Sequence, residues 1–233
     1  MGRWVTLKSA DGFELPAWQA APDAAPRAAI VVLQEIFGVN AHIRAVVDRL
    51  AARGWWAIAP ATFERVRPGV DLGYGASDIG VGVALKAQVE GLPAPGVMAD
   101  IQAAIDHGAH ASGAKVGLTG FCWGGLLAWR AAALCTGLSA VVPYYGGGMT
   151  SEAEIARQPR VPVLAHFGRR DRNIPVSGVQ ALSAAHPEVE VHLYDAEHGF
   201  NCDLRASYDE AAAMLARDRT LAFFDRHLGP MTT

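Results

Sequence analysis

The chain is poor in cysteine, with three in 233 residues, at positions 122, 135 and 202. Their odd number, their wide spacing and the lack of a Cys-X-X-Cys pair argue against a disulfide framework and a paired redox motif. Such cysteines are expected to be reduced thiols. The opening residues MGRWVTLKSADG also lack the apolar core of a secretion signal. We therefore expect a cytoplasmic protein.

Long apolar runs and an excess of positive charge are missing too. No uncharged apolar run reaches the roughly 18 residues that cross a bilayer, so no membrane partner is expected. The formal net charge is −3, whereas proteins that grip nucleic-acid phosphates are usually basic, so no nucleic-acid partner is expected. A hydrophobic content of 51% with 18% charged residues excludes intrinsic disorder. The length fits one domain over residues 1–233.

Strand and helix patterns alternate along most of the chain. Short apolar runs between turn residues predict strands, and apolar residues three or four apart predict helices. This alternation predicts an α/β fold: a mainly parallel central sheet with helices on both faces and no separate cap domain. The predicted strands cover 4–9, 13–20, 28–34, 55–61, 115–121, 139–146, 161–168 and 189–195, and the predicted helices cover 40–54, 97–111, 124–135, 176–186 and 207–228.

Residues 62–96 interrupt the alternation with three prolines and many glycines. We predict a long loop that contains one helix over 81–91. Because long loops in compact domains are often functional, this segment is a candidate lid. The sequence does not decide whether it closes over a site.

The strongest functional motif is Gly120-Phe121-Cys122-Trp123-Gly124, between a predicted strand and a predicted helix. It matches the nucleophile-elbow pattern G-x-S-x-G with cysteine in place of serine. The sharp turn leaves no room for side chains two residues before and after the nucleophile, which explains both glycines. The following helix N-terminus favours a thiolate. The plainer alternative is that Cys122 is a small buried hydrophobic residue.

A thiol nucleophile needs a base, and the base needs an orienting acid. In this architecture they follow the nucleophile in the order acid, then histidine. Asp171 follows the predicted strand 161–168, and His198 follows the strand 189–195. The other carboxylates nearby lie too close to His198 in sequence to be the usual acid; they are Asp195, Glu197 and Asp203.

Acyl transfer also requires hydrogen-bond donors for the oxyanion. The expected donors are the backbone N–H of Trp123, directly after the nucleophile, and that of Ile36, in the loop after strand 28–34. Glu35 in the same loop is interpreted as a carboxylate beside the thiol that keeps it protonated until substrate arrives. The alternatives for Glu35 are an exposed loop charge or an anion at a helix N-terminus.

The remaining histidines predict no metal site. None forms a metal-binding spacing such as H-E-x-x-H, and no cysteine and histidine cluster in the sequence. The remaining histidines are His42, His107, His110, His166, His186, His192 and His227. We interpret most of them as surface or structural residues. Neither a metal nor another cofactor is expected.

Together these motifs resemble the dienelactone hydrolase family of the α/β-hydrolase superfamily. The similar segments are QEIFGVN (34–40), KVGLTGFCWGG (115–125), VVPYYGGG (141–148), GRRDRNIP (168–175) and EHGFN (197–201). The resemblance implies the α/β-hydrolase fold and hydrolysis of 4-carboxymethylenebut-2-en-4-olide to maleylacetate, in the breakdown of chlorinated aromatic compounds, through a thioester and without a cofactor.

Carried over by position, the resemblance also implies individual roles. Cys122 is the nucleophile, His198 the base, Asp171 its orienter, and Glu35 the carboxylate that holds the resting thiol. The N–H groups of Ile36 and Trp123 form the oxyanion hole, and the pocket is lined by Phe37, Tyr144 and Tyr145.

The chain departs from the family at two arginines that bind the substrate carboxylate. One position, four residues after the catalytic histidine, is Cys202 here, which we interpret as a packed loop thiol. The other position falls in residues 79–88, which contain no arginine. Arg205 and Lys86 are the nearby cations that can replace them.

We therefore expect a small lactone or ester as the partner, and a monomer or weak homodimer. A carboxylesterase with an unrelated substrate and a non-catalytic binding protein with a hydrolase fold are the alternatives.

Overall fold

The structure, a computed structural model, describes residues 2–229 and is built on one eight-stranded sheet. The apolar runs of the sequence form the central strands because they can be buried on both faces of a sheet, whereas the two edge strands are partly exposed. The strands are β1 (Arg3–Lys8), β2 (Glu14–Ala20), β3 (Ala29–Leu33), β4 (Trp56–Pro60), β5 (Val116–Phe121), β6 (Leu138–Tyr144), β7 (Leu164–Gly168) and β8 (Glu190–Tyr194).

Seven helices accompany the strands within residues 2–229. The N-termini of two of them are capped by polar side chains: the Asn40 side chain accepts from the Ile43 N–H, and that of Asp209 accepts from the Ala212 N–H. The helices are α1 (Ala41–Ala51), α2 (Ala76–Glu90), α3 (Val97–Ser112), α4 (Trp123–Leu134), α5 (Glu152–Ile155), α6 (Val176–Ala185) and α7 (Glu210–Leu228).

The strand order across the sheet is β1-β2-β4-β3-β5-β6-β7-β8. The pairs β1–β2 and β2–β4 are antiparallel, and all the others are parallel. This topology confirms the predicted α/β-hydrolase fold. The carboxyl ends of β3, β5, β7 and β8 therefore share one edge of the sheet, where ligands bind in such folds.

The central strands form the middle of the core. Every residue of β3 and β5 is buried. Alternate residues of β5 point toward α7 on one face: a side chain on Gly117 would meet Phe224 and Leu228. On the other face α3 and α4 pack against the sheet and each other. Helices thus cover both faces, as predicted.

The segment 62–96 contains the predicted helix, but that helix, α2, begins at Ala76 rather than at residue 81. The Asp78 side chain accepts a hydrogen bond from the Gly75 N–H at 3.2 Å. This local cap lets the helix start in glycine-rich sequence that has no apolar periodicity. The four-residue α5 was not predicted, because one helical turn is too short to show a period.

Candidate active site

Cys122 occupies a strained turn between β5 and α4. Its backbone has φ 55° and ψ −118°, a combination that a non-glycine residue rarely adopts. A Cβ on Gly120 would lie 2.1 Å from the Gly124 carbonyl oxygen, and a Cβ on Gly124 would lie 2.4 Å from the Gln34 carbonyl oxygen. The chain therefore needs both glycines to make this turn, which leaves the Cys122 thiol half-buried at the sheet edge.

His198 and Asp171 form a short hydrogen bond at the same edge. Asp171 follows β7, His198 follows β8, and His198 Nδ1 donates to Asp171 Oδ2 at 2.6 Å. The Asn173 N–H holds the second oxygen, Oδ1, at 2.8 Å. Asp171 is buried, and each of its carboxylate oxygens accepts one of these two hydrogen bonds. This arrangement fixes the orientation of the imidazole ring.

The charge state of His198 depends on its neighbours. Burial lowers the pKa of His198, but the hydrogen bond to Asp171 and the neighbouring Cys122 side chain outweigh this effect and raise the pKa to about 10. The imidazole therefore carries a second proton at neutral pH. A positively charged imidazole beside a cysteine stabilises the thiolate form. The structure thus brings Cys122, His198 and Asp171 together, in the order that the sequence predicts.

Glu35 is buried in the loop after β3, but its hydrogen bonds differ from the expected ones. Arg205 Nη1 donates to Glu35 Oε1 at 2.9 Å, and the Tyr74 hydroxyl donates to Oε2 at 3.2 Å. Among residues 2–229, no hydrogen bond joins Glu35 to Cys122. A charge-assisted bond to a guanidinium is stronger than a bond to a thiol, which explains the pairing with Arg205.

Arg205, one of the two cations considered as replacements, lies within the site. Its guanidinium is 5.7 Å from the Phe37 ring centroid and 5.8 Å from that of Tyr74. The guanidinium also packs directly against Gly199, because a Cβ added to this glycine would lie 2.4 Å from Arg205 Nη1. The other cation, Lys86, makes no ion pair in the part of the chain that the structure describes. The sequence did not identify Tyr74, because it lies in an irregular loop.

The two expected oxyanion donors are free. In residues 2–229, neither the Ile36 N–H nor the Trp123 N–H makes a hydrogen bond. Helix α2 packs directly on this loop, since a Cβ on Gly82 would lie 2.1 Å from the Ile36 carbonyl oxygen. The Trp123 indole stacks on Phe63 at 5.0 Å and donates to Glu90 Oε1 at 3.2 Å. Segment 62–96 therefore supports both donors.

Two of the three expected pocket residues lie beside these groups. The Phe37 ring is 4.6 Å from that of Tyr74. The Tyr145 ring is 5.1 Å from that of His198, and its buried hydroxyl has no hydrogen-bond partner within the described chain. Burial raises the pKa of Tyr145 well above its ordinary value, so this hydroxyl keeps its proton.

The structure places Tyr144 elsewhere. Its hydroxyl lies 2.6 Å from Thr220 Oγ1 on α7, and it lines a cavity of about 160 Å³ between α1 and α7. β6 ends at Tyr144, and Tyr145 follows it with φ 36°. The Tyr144 hydroxyl thus points toward α7, whereas the Tyr145 ring packs against His198.

Cys202 and His42 complete the surroundings of Glu35. Cys202 is fully buried, and burial together with the Glu35 carboxylate raises the pKa of its thiol to about 11. His42 is not a surface residue but is buried on α1, where its Nδ1 lies 3.1 Å from Asp203 Oδ1. Both side chains lie close to Glu35, although Cys202 is far from Glu35 and His42 in the sequence.

A cysteine on a strained turn after the central strand, with an aspartate and a histidine at the ends of later strands, defines an α/β-hydrolase. The model of the dienelactone hydrolase family matches residues 15–228. The chain belongs to this family.

Similar proteins agree with this assignment. A carboxymethylenebutenolidase of Pseudomonas putida is 33% identical over 238 residues, which cover 94% of this chain and 94% of that protein. A solved structure from Klebsiella pneumoniae, named as a candidate dienelactone hydrolase, has a TM-score of 0.82 and 33% identity, and covers 97% of this chain and 99% of that one. The chain is a hydrolase of ester or lactone bonds.

A more distant structure shows the fold alone. A dienelactone hydrolase-like promiscuous phosphotriesterase from metagenomic libraries has a TM-score of 0.75 at 22% identity, and covers 98% of this chain and 99% of that one. Separately, none of the helices in residues 2–229 combines the length and apolar character needed to cross a membrane.

Proposed function

We propose that the chain is a cysteine-dependent hydrolase of a small lactone or ester, with 4-carboxymethylenebut-2-en-4-olide as the first candidate substrate. The observation that carries the proposal is the Cys122 elbow beside the hydrogen-bonded pair of His198 and Asp171. These three side chains are a nucleophile, a base and an orienting acid, which is the set that acyl transfer requires.

In the proposed reaction the Cys122 thiolate attacks the substrate carbonyl carbon. The carbonyl oxygen takes the electron pair and is held by the N–H groups of Ile36 and Trp123. The carbonyl then re-forms as the ring C–O bond breaks, which leaves a thioester on Cys122 and an enolate oxygen that takes a proton from His198. Neutral His198 next removes a proton from water, whose oxygen attacks the thioester. Cleavage of the C–S bond releases the acid and restores the thiolate and the protonated imidazole.

We propose that Arg205 binds the substrate carboxylate. Its partner without substrate is Glu35, so a substrate carboxylate must compete with Glu35 for the guanidinium. Release from Arg205 would leave the negative charge of Glu35 uncompensated beside the Cys122 thiolate, which destabilises this anion and so increases its reactivity. In this proposal Arg205 and Glu35 couple substrate binding to the state of the nucleophile.

The second candidate function is a carboxylesterase with an unrelated substrate. The positive charge available for a substrate carboxylate favours this second function. Arg205 stands in place of the two arginines of the family, and its charge is already neutralised by Glu35. A neutral ester would not need to displace Glu35.

The test is hydrolysis of the dienelactone, followed by ultraviolet absorbance, with wild type, Cys122→Ala and Arg205→Gln. Rapid wild-type turnover, lost in Cys122→Ala and with a KM raised about tenfold or more in Arg205→Gln, supports the first function. Arg3→Gln on the exposed face of β1 is the matched control and should behave as wild type. Cys122-dependent turnover of a neutral nitrophenyl ester without dienelactone turnover supports the carboxylesterase. Full activity of Cys122→Ala on either substrate contradicts both.

We further propose a role in the catabolism of aromatic compounds, a cytoplasmic location and a single domain that is monomeric or weakly dimeric. The three free thiols support the location. Light scattering after size exclusion, at several protein concentrations, measures the oligomeric state directly.

A further inference from the structure

A second group of reactive side chains lies next to the proposed catalytic residues. One carboxylate oxygen of Glu35, one ring nitrogen of His42 and the Cys202 sulfur all lie within 4.8 Å of one another. The exposed fractions of these three residues are 1%, 1% and 0%. They come from the loop after β3, from α1 and from the loop after β8, so only the fold brings them together.

The arrangement of His42 is that of a metal ligand. Metal-binding histidines commonly donate their other ring N–H to a carboxylate, which fixes the ring and leaves the second nitrogen for the metal. Here Asp203 Oδ1 lies 3.1 Å from His42 Nδ1, and the buried His42 Nε2 has no hydrogen-bond partner within residues 2–229.

We infer that Glu35, His42 and Cys202 form a binding site for one divalent transition-metal ion of the zinc and cobalt class, with Asp203 orienting His42. Thiolate, imidazole and carboxylate ligands together suit zinc, whereas magnesium and calcium take oxygen ligands alone. Spacing rules in the sequence cannot identify such a site, because its three ligands lie at positions 35, 42 and 202.

The local charges are compatible with a cation. Binding converts the Cys202 thiol to a thiolate and releases one proton to water. Two negative charges, on Glu35 and Cys202, then face the divalent ion and the single positive charge of Arg205. Each Glu35 oxygen can accept more than one bond, so the hydrogen bonds from Arg205 and Tyr74 can remain.

Metal binding should inhibit the enzyme. Glu35 would be shared between the ion and Arg205, so its negative charge would stay compensated by the ion when substrate arrives. This consequence rests on the proposed function, whereas metal binding itself does not.

The binding test is a titration of the chelator-treated protein with cobalt chloride under reducing conditions, followed by absorbance. We expect one equivalent of Co²⁺ to produce a thiolate-to-cobalt charge-transfer band in the near ultraviolet and d–d bands in the visible. Cys202→Ser should lose the charge-transfer band, and His42→Gln should weaken binding at least tenfold. Two control variants, Cys135→Ser and Cys122→Ser, should keep the band. Circular dichroism of each variant verifies folding.

Two results would overturn the inference: no charge-transfer band in the wild type, or a band that survives in Cys202→Ser and disappears in Cys122→Ser. Asp203→Asn tests the contact by which Asp203 orients His42. We expect it to lower the affinity for Co²⁺ by about 10- to 100-fold. Zinc chloride should slow wild-type turnover reversibly and affect Cys202→Ser less. If cobalt binds at Cys202 but zinc leaves turnover unchanged, the proposed metal site is retained and the role proposed for Glu35 in catalysis is wrong.

Discussion

Helix α2 contacts the loop that contains Ile36, one of the proposed oxyanion donors, through Gly82. One added methyl group at Gly82 tests the importance of this contact. In Gly82→Ala the new Cβ would lie 2.1 Å from the Ile36 carbonyl oxygen, whereas real Cβ atoms stay beyond 3.0 Å from such neighbours. Either α2 or Ile36 must therefore move by about 1 Å. Where Ile36 is the residue that moves, its N–H on the other side of the residue moves with it.

The expected loss follows from this displacement. Misplacing catalytic groups by about 1 Å costs about 10²-fold in rate, and loss of one oxyanion donor costs about 10²–10³-fold. We expect kcat/KM to fall about 10²-fold, which equals about 2.7 kcal/mol of transition-state stabilisation. The Cys122 thiol is untouched, so its alkylation by iodoacetamide should proceed at the wild-type rate.

Gly80→Ala is the matched control, since Gly80 lies in the same helix and has no atom within 4 Å of an added Cβ. Alanine stabilises a helix interior by about 1 kcal/mol relative to glycine, so Gly80→Ala should raise the melting temperature and leave kcat/KM unchanged. The assay is hydrolysis of the dienelactone or a nitrophenyl ester, whichever the wild type cleaves. A folded Gly82→Ala with kcat/KM within about threefold of wild type would refute the role of this contact.

Three further predictions concern the elbow and its base. Cys122→Ser should keep the wild-type melting temperature and lose about 10³-fold or more in kcat/KM, because the hydroxyl is a far weaker nucleophile; a near-wild-type rate would exclude Cys122 as the nucleophile. The pKa of His198 rises from 6.5 to about 10 on folding, so its protonated form contributes stability that is complete below pH 6.5 and disappears toward pH 10. The difference in unfolding free energy between wild type and His198→Gln, from urea titrations, should shrink over that interval, and a constant difference would contradict the shift. Gly124→Ala, whose Cβ would strike the Gln34 carbonyl, should destabilise by about 3 kcal/mol, while Gly147→Ala has open space and should change stability by less than about 0.5 kcal/mol.

The three residues proposed for catalysis could be located from the sequence because each follows a recognisable strand. Parallel strands end at one edge of a sheet, so residues after β5, β7 and β8 must approach one another. The glycines on either side of Cys122 add a steric signature of the turn. Predicting Cys122, Asp171 and His198 as neighbours therefore needed only strand positions and chain order.

The partners of Glu35 could not be predicted in this way. Arg205 lies 170 residues away along the chain, and Tyr74 lies in a loop without periodicity. Their contacts depend on how two irregular loops pack, which no local pattern encodes. The same holds for the approach of His42 and Cys202 to Glu35, where helical spacing showed only that His42 is on α1.

The assignment of Tyr144 and Tyr145 shows a related limit. Both follow from one resembling segment, yet the strand end sends Tyr144 toward Thr220 and Tyr145 toward His198. A motif match locates both residues at the end of β6, but the backbone conformation at each residue decides where its side chain points.

The most direct test of the central claim, that Cys122 is the nucleophile, is mass spectrometry of the protein after acid quenching during turnover of a slowly hydrolysed ester. We expect one acyl group per chain, located on the peptide that contains Cys122 and removed by hydroxylamine as a thioester is. An acyl group on Cys202 or Cys135, or steady hydrolysis with no acyl group on Cys122, would contradict the claim.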